Sequence, residues 1–172
     1  MGYTPKQEVI HSVELFHDYI RDGRIKIKEK VKVPTTVQDP CNIIRCGGLA
    51  EKNRRLAEYF SEDFRPMKHQ GNYNYCCGGG GGAIPMGGEM RKDRLKGGKV
   101  KADQIRETGA KLIFVPCHNC IDQIRDLIKE YKLDCKAVHF KEIIAEQMII
   151  PEEMLPKGEE DKRELPYATD TT

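Results

Sequence analysis

The chain has 172 residues, 29 basic against 27 acidic side chains, and no tryptophan. That length suits one domain with a real core, while near-zero net charge and few aromatics argue against nucleic-acid binding. No apolar run approaches the roughly eighteen residues that a membrane helix needs. The polar Met1–Gln7 segment lacks an apolar leader core. Both favour the cytoplasm, where clustered thiols mean metal or redox chemistry more than disulfides.

The hydrophobic pattern predicts alternating strands and helices. Val31–Gln38 reads as a strand and Leu49–Phe60 as a helix with Leu49, Leu56 and Phe60 on one face. Phe64–Gln70 is a weaker strand. Met90–Thr108 reads as helical with a break at Gly97-Gly98, and Lys111–Val115 as an apolar strand. Ile121, Ile124, Ile128 and Tyr131 recur at helical spacing. Lys136–Phe140 is a short strand and Lys141–Met148 a closing helix. This alternation predicts an α/β fold with an open, mainly parallel sheet and flanking helices. Glu8–Phe16 aligns weakly with Lys136–Ile144, each reading as strand, histidine, then helix. Residues 8–22 are therefore expected to form a βα unit with a strand near Val9–His11. The prolines and charge run of 151–172 predict a flexible tail after a domain spanning 1–150.

Seven cysteines are present, and five of them form one series: Cys41, the pair Cys76-Cys77, and Cys117-x-x-Cys120. Zinc takes four ligands, so five converging thiolates suit an iron–sulfur cluster better. A zinc site using four of them is the alternative. A thioredoxin-like reading of Cys117-x-x-Cys120 leaves the adjacent pair unexplained. In the predicted fold Cys41, Cys76-Cys77 and Cys117 each follow a strand. The carboxyl ends of parallel strands share one edge, where ligands bind, so the five are expected to gather there. The run Gly78–Gly82 is no nucleotide loop, since no Gly-Lys-Ser/Thr follows. Gly78, Gly79 and Gly80 would let backbone approach an inorganic group closely and turn N–H groups toward its sulfur.

The remaining polar positions have plainer readings. Cys135 is expected to be a small buried hydrophobe, and Cys46 lies near Cys41 without joining the ligands. His118 is either a proton donor to a leaving thiolate or a helix cap. His11 and His139 are expected at strand ends. The basic run Arg91, Lys92, Arg94, Lys96, Lys99 and Lys101 reads as a solvated helix face, with docking of an acidic partner or compensation of cluster charge as the functional alternatives.

The segments Asp39-Pro40-Cys41, Cys76-Cys77-Gly78 and Pro116-Cys117-His118-Asn119-Cys120 resemble the cysteine-rich CCG domains of the heterodisulfide reductase B and D subunits. The resemblance covers about residues 8–150. The uninterrupted glycine run is most similar to the sulfate-reducer branch that includes the K subunit of a membrane electron-transfer complex. It implies a [4Fe–4S] cluster, non-cubane in some relatives, held by Cys41, Cys76, Cys77, Cys117 and Cys120. It also implies disulfide reduction, of a heterodisulfide or a protein disulfide or trisulfide. Related domains serve lactate, glycolate or glycerol-phosphate oxidising complexes, and a non-catalytic zinc-binding assembly module is the reading from another class. Such proteins commonly carry two half-domains, which would make residues 8–22 the end of a preceding half. A ferredoxin-type cysteine run is absent, so a ferredoxin-like iron–sulfur domain or subunit is the expected electron donor. A membrane complex or a small sulfur-carrier protein is a further expected partner. Partner subunits would hold the chain at the inner face of the membrane without its own insertion.

Overall fold

The computed structural model describes residues 6–155. A helix α1 (Ser12–Arg21) precedes strand β1 (Thr35–Val37), a π-helical turn at Asn42–Cys46 and helix α2 (Ala50–Phe60). A 3-10 turn at Gly71–Tyr73 leads into the glycine loop. Helices α3 (Gly88–Gly97) and α4 (Lys99–Thr108), strand β2 (Leu112–Val115), helix α5 (His118–Glu130), strand β3 (Lys136–His139) and helix α6 (Phe140–Gln147) follow. The three strands form an open sheet in the order β1-β2-β3, all parallel, with Thr36 opposite Ile113 and Ile113 opposite Ala137.

The central strand explains the layering. All four β2 residues are buried, as expected for a parallel strand covered on both faces. Leu112 and Phe114 join the core made with Leu56, Phe60, Phe140 and Ile143 from α2 and α6. Ile113 and Val115 point the other way, into the core made with Ala102, Ile105, Ile124 and Leu127 from α4 and α5. Cys117 packs against both cores, immediately beyond the strand.

Three sequence expectations need correction. The strand expected over Val31–Gln38 is regular only at Thr35–Val37. Pro34 has no N–H to donate, although its carbonyl accepts from Lys111 and Leu112. Phe64–Gln70 is not a strand: one bridge joins Phe64 to Thr35, and His69 then takes a left-handed φ of 55°. The pair Cys76-Cys77 therefore follows a 3-10 turn and loop, not a strand. Nor is there a strand at Val9–His11. That segment is irregular, with Val9 83 % exposed.

The helical half of the weak repeat does hold. His11 Nδ1 accepts the Val13 N–H at the start of α1, and His139 Nδ1 accepts the Lys141 N–H at the start of α6. The two histidines cap equivalent helices. The apolar face of α1 is already covered: Val13 is buried, Phe16 and Ile20 pack on the same core, and Lys52 of α2 reaches Glu14 and Asp18 at 2.5 and 3.1 Å. The break expected at Gly97-Gly98 separates α3 from α4. Of the tail expected over 151–172, only a 3-10 turn at Glu152–Met154 and its flanks are described, and the charge run Glu159–Glu164 lies outside the described residues. No helix among the described residues is long and apolar enough to cross a membrane.

Candidate metal centre

Three segments reach the carboxyl edge of the sheet for three different reasons. Cys41 follows β1 and opens the π-helical turn. Cys117 follows β2 and immediately precedes α5, which also carries Cys120 one turn on. Cys76-Cys77 arrive on the loop, and the device that brings them is Asp39. Its buried carboxylate accepts from Asn53 Nδ2 at 2.9 Å, Arg54 at 3.0 Å and the Gly71 N–H at 2.7 Å. Its carbonyl accepts from Asn74 Nδ2, and Asn74 in turn accepts from Arg45. The residues just before Cys41 and just before Cys76 are thus tied into one buried polar network.

The sulfurs then meet. Cys77 Sγ lies 3.2 Å from Cys120 Sγ. Cys117 and Cys120, and likewise Cys41 and Cys76, lie close enough to shift each other's proton affinity. Cys41 and Cys77 feel each other's charge, as do Cys77 and Cys117. The five expected sulfurs therefore form one interacting group.

Their proton affinities differ for physical reasons. The hydrogen bond from Cys120 lowers Cys117 to about 6, helped by the Cys120 and Asn119 backbone N–H groups at the start of α5. Helix N-termini favour thiolate in this way. Cys77 falls to about 7, chiefly through its hydrogen bond with Cys120, with the Gly79 N–H assisting against burial. Cys120 is raised strongly by its close pairing with Cys117 and Cys77 and by burial. Burial raises Cys41 as well, reinforced by Cys76.

The glycine loop divides its roles. The Gly78 N–H approaches Cys76 Sγ at 3.3 Å, and the Gly79 N–H approaches Cys77 Sγ at 3.4 Å. Gly79 is fixed sterically, since a Cβ there would lie 2.7 Å from both Asn119 O and Gln123 Cβ. Gly80 faces open space. Gln123 locks the loop from beneath: its side chain accepts from Arg94 and donates to the Arg94 carbonyl at 3.2 Å, while Arg94 also pairs with Asp126 at 2.5 Å. Gly98 completes the lock, for a Cβ there would lie 2.7 Å from Leu127 Cδ2 and 2.9 Å from Gln123 Nε2.

The other candidates lie elsewhere or at the rim. His118 is 79 % exposed in the first turn of α5, 4.0 Å from Asp122. Cys46 is exposed at the end of the π-helical turn. Cys135 precedes β3, at the opposite end of the strands. It is half-buried, and burial raises its thiol to about 11. Sequence reasoning missed Asp39 as a hub, together with Asn53, Arg54, Asn74, Gln123 and the buried Lys101. For Asn53, Gln123 and Lys101 a polar residue on an otherwise apolar helical face was the only signal.

Comparison with known proteins decides the family. Residues 35–125 match the CCG cysteine-rich domain model. The chain belongs to the CCG family. It is 27 % identical over 150 residues to the D subunit of the dihydromethanophenazine:CoB–CoM heterodisulfide reductase of Methanosarcina barkeri, covering 82 % of this chain and 34 % of that protein. It is 24 % identical over 126 residues to the EtfAB:quinone oxidoreductase of Syntrophomonas wolfei, covering 71 % and 18 %. It is 28 % identical over 116 residues to the Hdr-like menaquinol oxidoreductase iron–sulfur subunit 2 of Archaeoglobus fulgidus, covering 63 % and 20 %. The chain thus spans about a fifth to a third of the length of these relatives.

The family implies an iron–sulfur group, and the donor set fits one. The thiols are numerous, convergent and supplied with peptide N–H donors. Among the described residues no three His, Cys, Asp or Glu side chains are already arranged around a metal-ion position, and the family and its relatives lend the zinc alternative no support.

Proposed function

We propose that this chain is an iron–sulfur domain of a heterodisulfide-reductase-like electron-transfer enzyme, with Cys41, Cys76, Cys77, Cys117 and Cys120 holding a [4Fe–4S] cluster. The observation that carries the reading is the meeting of these five sulfurs, from three separate segments, at the carboxyl edge of a parallel sheet. When bound, such a cluster supplies one-electron chemistry next to thiolates. Asp39 and Gln123 hold the three segments in register. The Gly78 and Gly79 amides stabilise negative charge on sulfur, which raises the reduction potential. Reduction of a disulfide takes two electrons and two protons and yields two thiols. The electrons come from a partner iron–sulfur domain. Exposed His118, next to Cys117 in the chain, would pass a proton to a departing thiolate.

The names of two relatives, both quinone or menaquinol oxidoreductases, favour a second reading in which the same cluster only relays electrons. One experiment tests the site under either reading. Anaerobically prepared protein is expected to carry about four irons and matching acid-labile sulfide. Cys77→Ser should lose them, and Cys135→Ser and Cys46→Ser should keep them. Stoichiometric zinc without sulfide in protein never exposed to oxygen overturns the proposal. Thiol formation from a disulfide, with a one-electron donor and a partner iron–sulfur protein, separates reductase from relay.

A further inference from the structure

The basic run on α3 and α4 is not one face. Arg91, Lys92, Lys96 and Lys99 are exposed, whereas Lys101 is only 1 % exposed. Its Nζ has Met67 Sδ at 3.7 Å as its hydrogen-bond partner, a weak acceptor. It makes no ion pair among the described residues. Asp39, the acidic group whose field it feels, is already held by Arg54, Asn53 and the Gly71 amide. Ala102 and Ile105, the buried apolar residues of the same helix, pack in one core with Met67, Cys77 and Cys120. A methionine or leucine at 101 would suit such surroundings. A buried ammonium without a counter-ion is costly and persists only where something compensates it.

The compensation comes from the site. Burial lowers Lys101 from the usual lysine range, and the groups that oppose this are Asp39 first and then Cys77, Cys120 and Cys41, whose sulfurs would carry charge as cluster ligands. Met67, which touches the ammonium, packs in one core with Cys77 and Cys120. We propose that Lys101 is the resident counter-cation of the cysteine site, a positioning residue whose buried ammonium offsets the charge of the Cys41, Cys77 and Cys120 sulfurs and of the cluster they hold. The cluster half of this inference rests on the function proposed above. A cation fixed in a low-dielectric interior favours the more negative, reduced state of a nearby redox group. Exposed lysines on the same helices do this far less, because solvent screens them.

The test compares wild type, Lys101→Met and Lys101→Arg, with Lys101→Gln as a second neutral variant. In anaerobically loaded protein, EPR-monitored redox titration should give a lower midpoint potential for both neutral variants and a near-wild-type value for Lys101→Arg. Unchanged potential in the neutral variants overturns the inference. So does equal loss in all three variants, which marks a packing role. A wild type that takes up no iron and sulfide overturns the proposed function, and this inference with it.

Discussion

The Asp39 carboxylate accepts the Gly71 backbone N–H at 2.7 Å, and that contact joins the segment leading to Cys41 with the segment leading to Cys76. The same carboxylate carries Arg54 and Asn53 from α2, so one buried side chain registers two cysteine-bearing loops on one helix.

Removing that side chain should therefore cost more than a surface ion pair. Asp39→Ala leaves Arg54 and Asn53 without their buried acceptor, and a loss of about 3 kcal/mol is expected. Urea denaturation measures it, and iron content should fall in parallel. Asp39→Asn keeps the shape and should lose less.

Substitutions along the glycine run should separate sharply. Gly79→Ala forces a Cβ against Asn119 O and Gln123 Cβ, and overpacking of this kind costs about 1–3 kcal/mol. Cluster loading should drop with it. Gly80→Ala meets nothing within 4 Å and needs no left-handed backbone, so it should load normally. Gly81→Ala has room, but φ is +64° there, and a strain of about 1 kcal/mol is expected. Iron-to-protein ratios after identical reconstitution rank the three.

Thiol reactivity in metal-free protein should follow the environments. Cys117 lies at about 6 and Cys135 at about 11. Near pH 7.5 Cys117 is mostly thiolate and Cys135 is not, and the thiolate is the nucleophile. Iodoacetamide labelling should reach Cys117 first and slow as pH falls through about 6. Equal rates at the two cysteines would contradict this.

A pH effect is expected at the second histidine cap. Burial lowers His139 from the usual histidine range, so the folded state favours the neutral ring that accepts the Lys141 N–H. The unfolded chain then binds more protons in the window just below about 6.5. The contribution is complete above that value and is lost as pH falls through the lower, folded one. His139→Asn keeps a capping acceptor without a titrating ring. Thermal denaturation from pH 8 to pH 5 should show a shallower acid-side decline for this variant than for wild type.

Much of the fold was legible because its signals are periodic. β2 reads as a bare apolar run, α5 as Ile121, Ile124 and Ile128 at helical spacing, and the α3–α4 break as two glycines. The cysteine series was legible because chemistry restricts residue type. The route of Cys76-Cys77 was not, since residues 64–75 are held by polar contacts to Asp39 and Gln104 and not by a repeating pattern. Val9–His11 has strand-like residues but no neighbouring strand to pair with in this sheet. Lys101 looked like part of a solvated face because burial is a tertiary property.

The adjacent cysteines Cys76 and Cys77 differ in one respect that matters outside the reaction. Cys76 is exposed, and Cys77 is 3 % exposed. The site thus has a doorstep and an interior. Oxidative damage should start on the doorstep, with Cys76 entering the sulfenic-to-sulfonic series before its neighbour. In air-exposed protein, the ratio of oxidised Cys76 to oxidised Cys77 becomes a clock for how far decay has travelled inward.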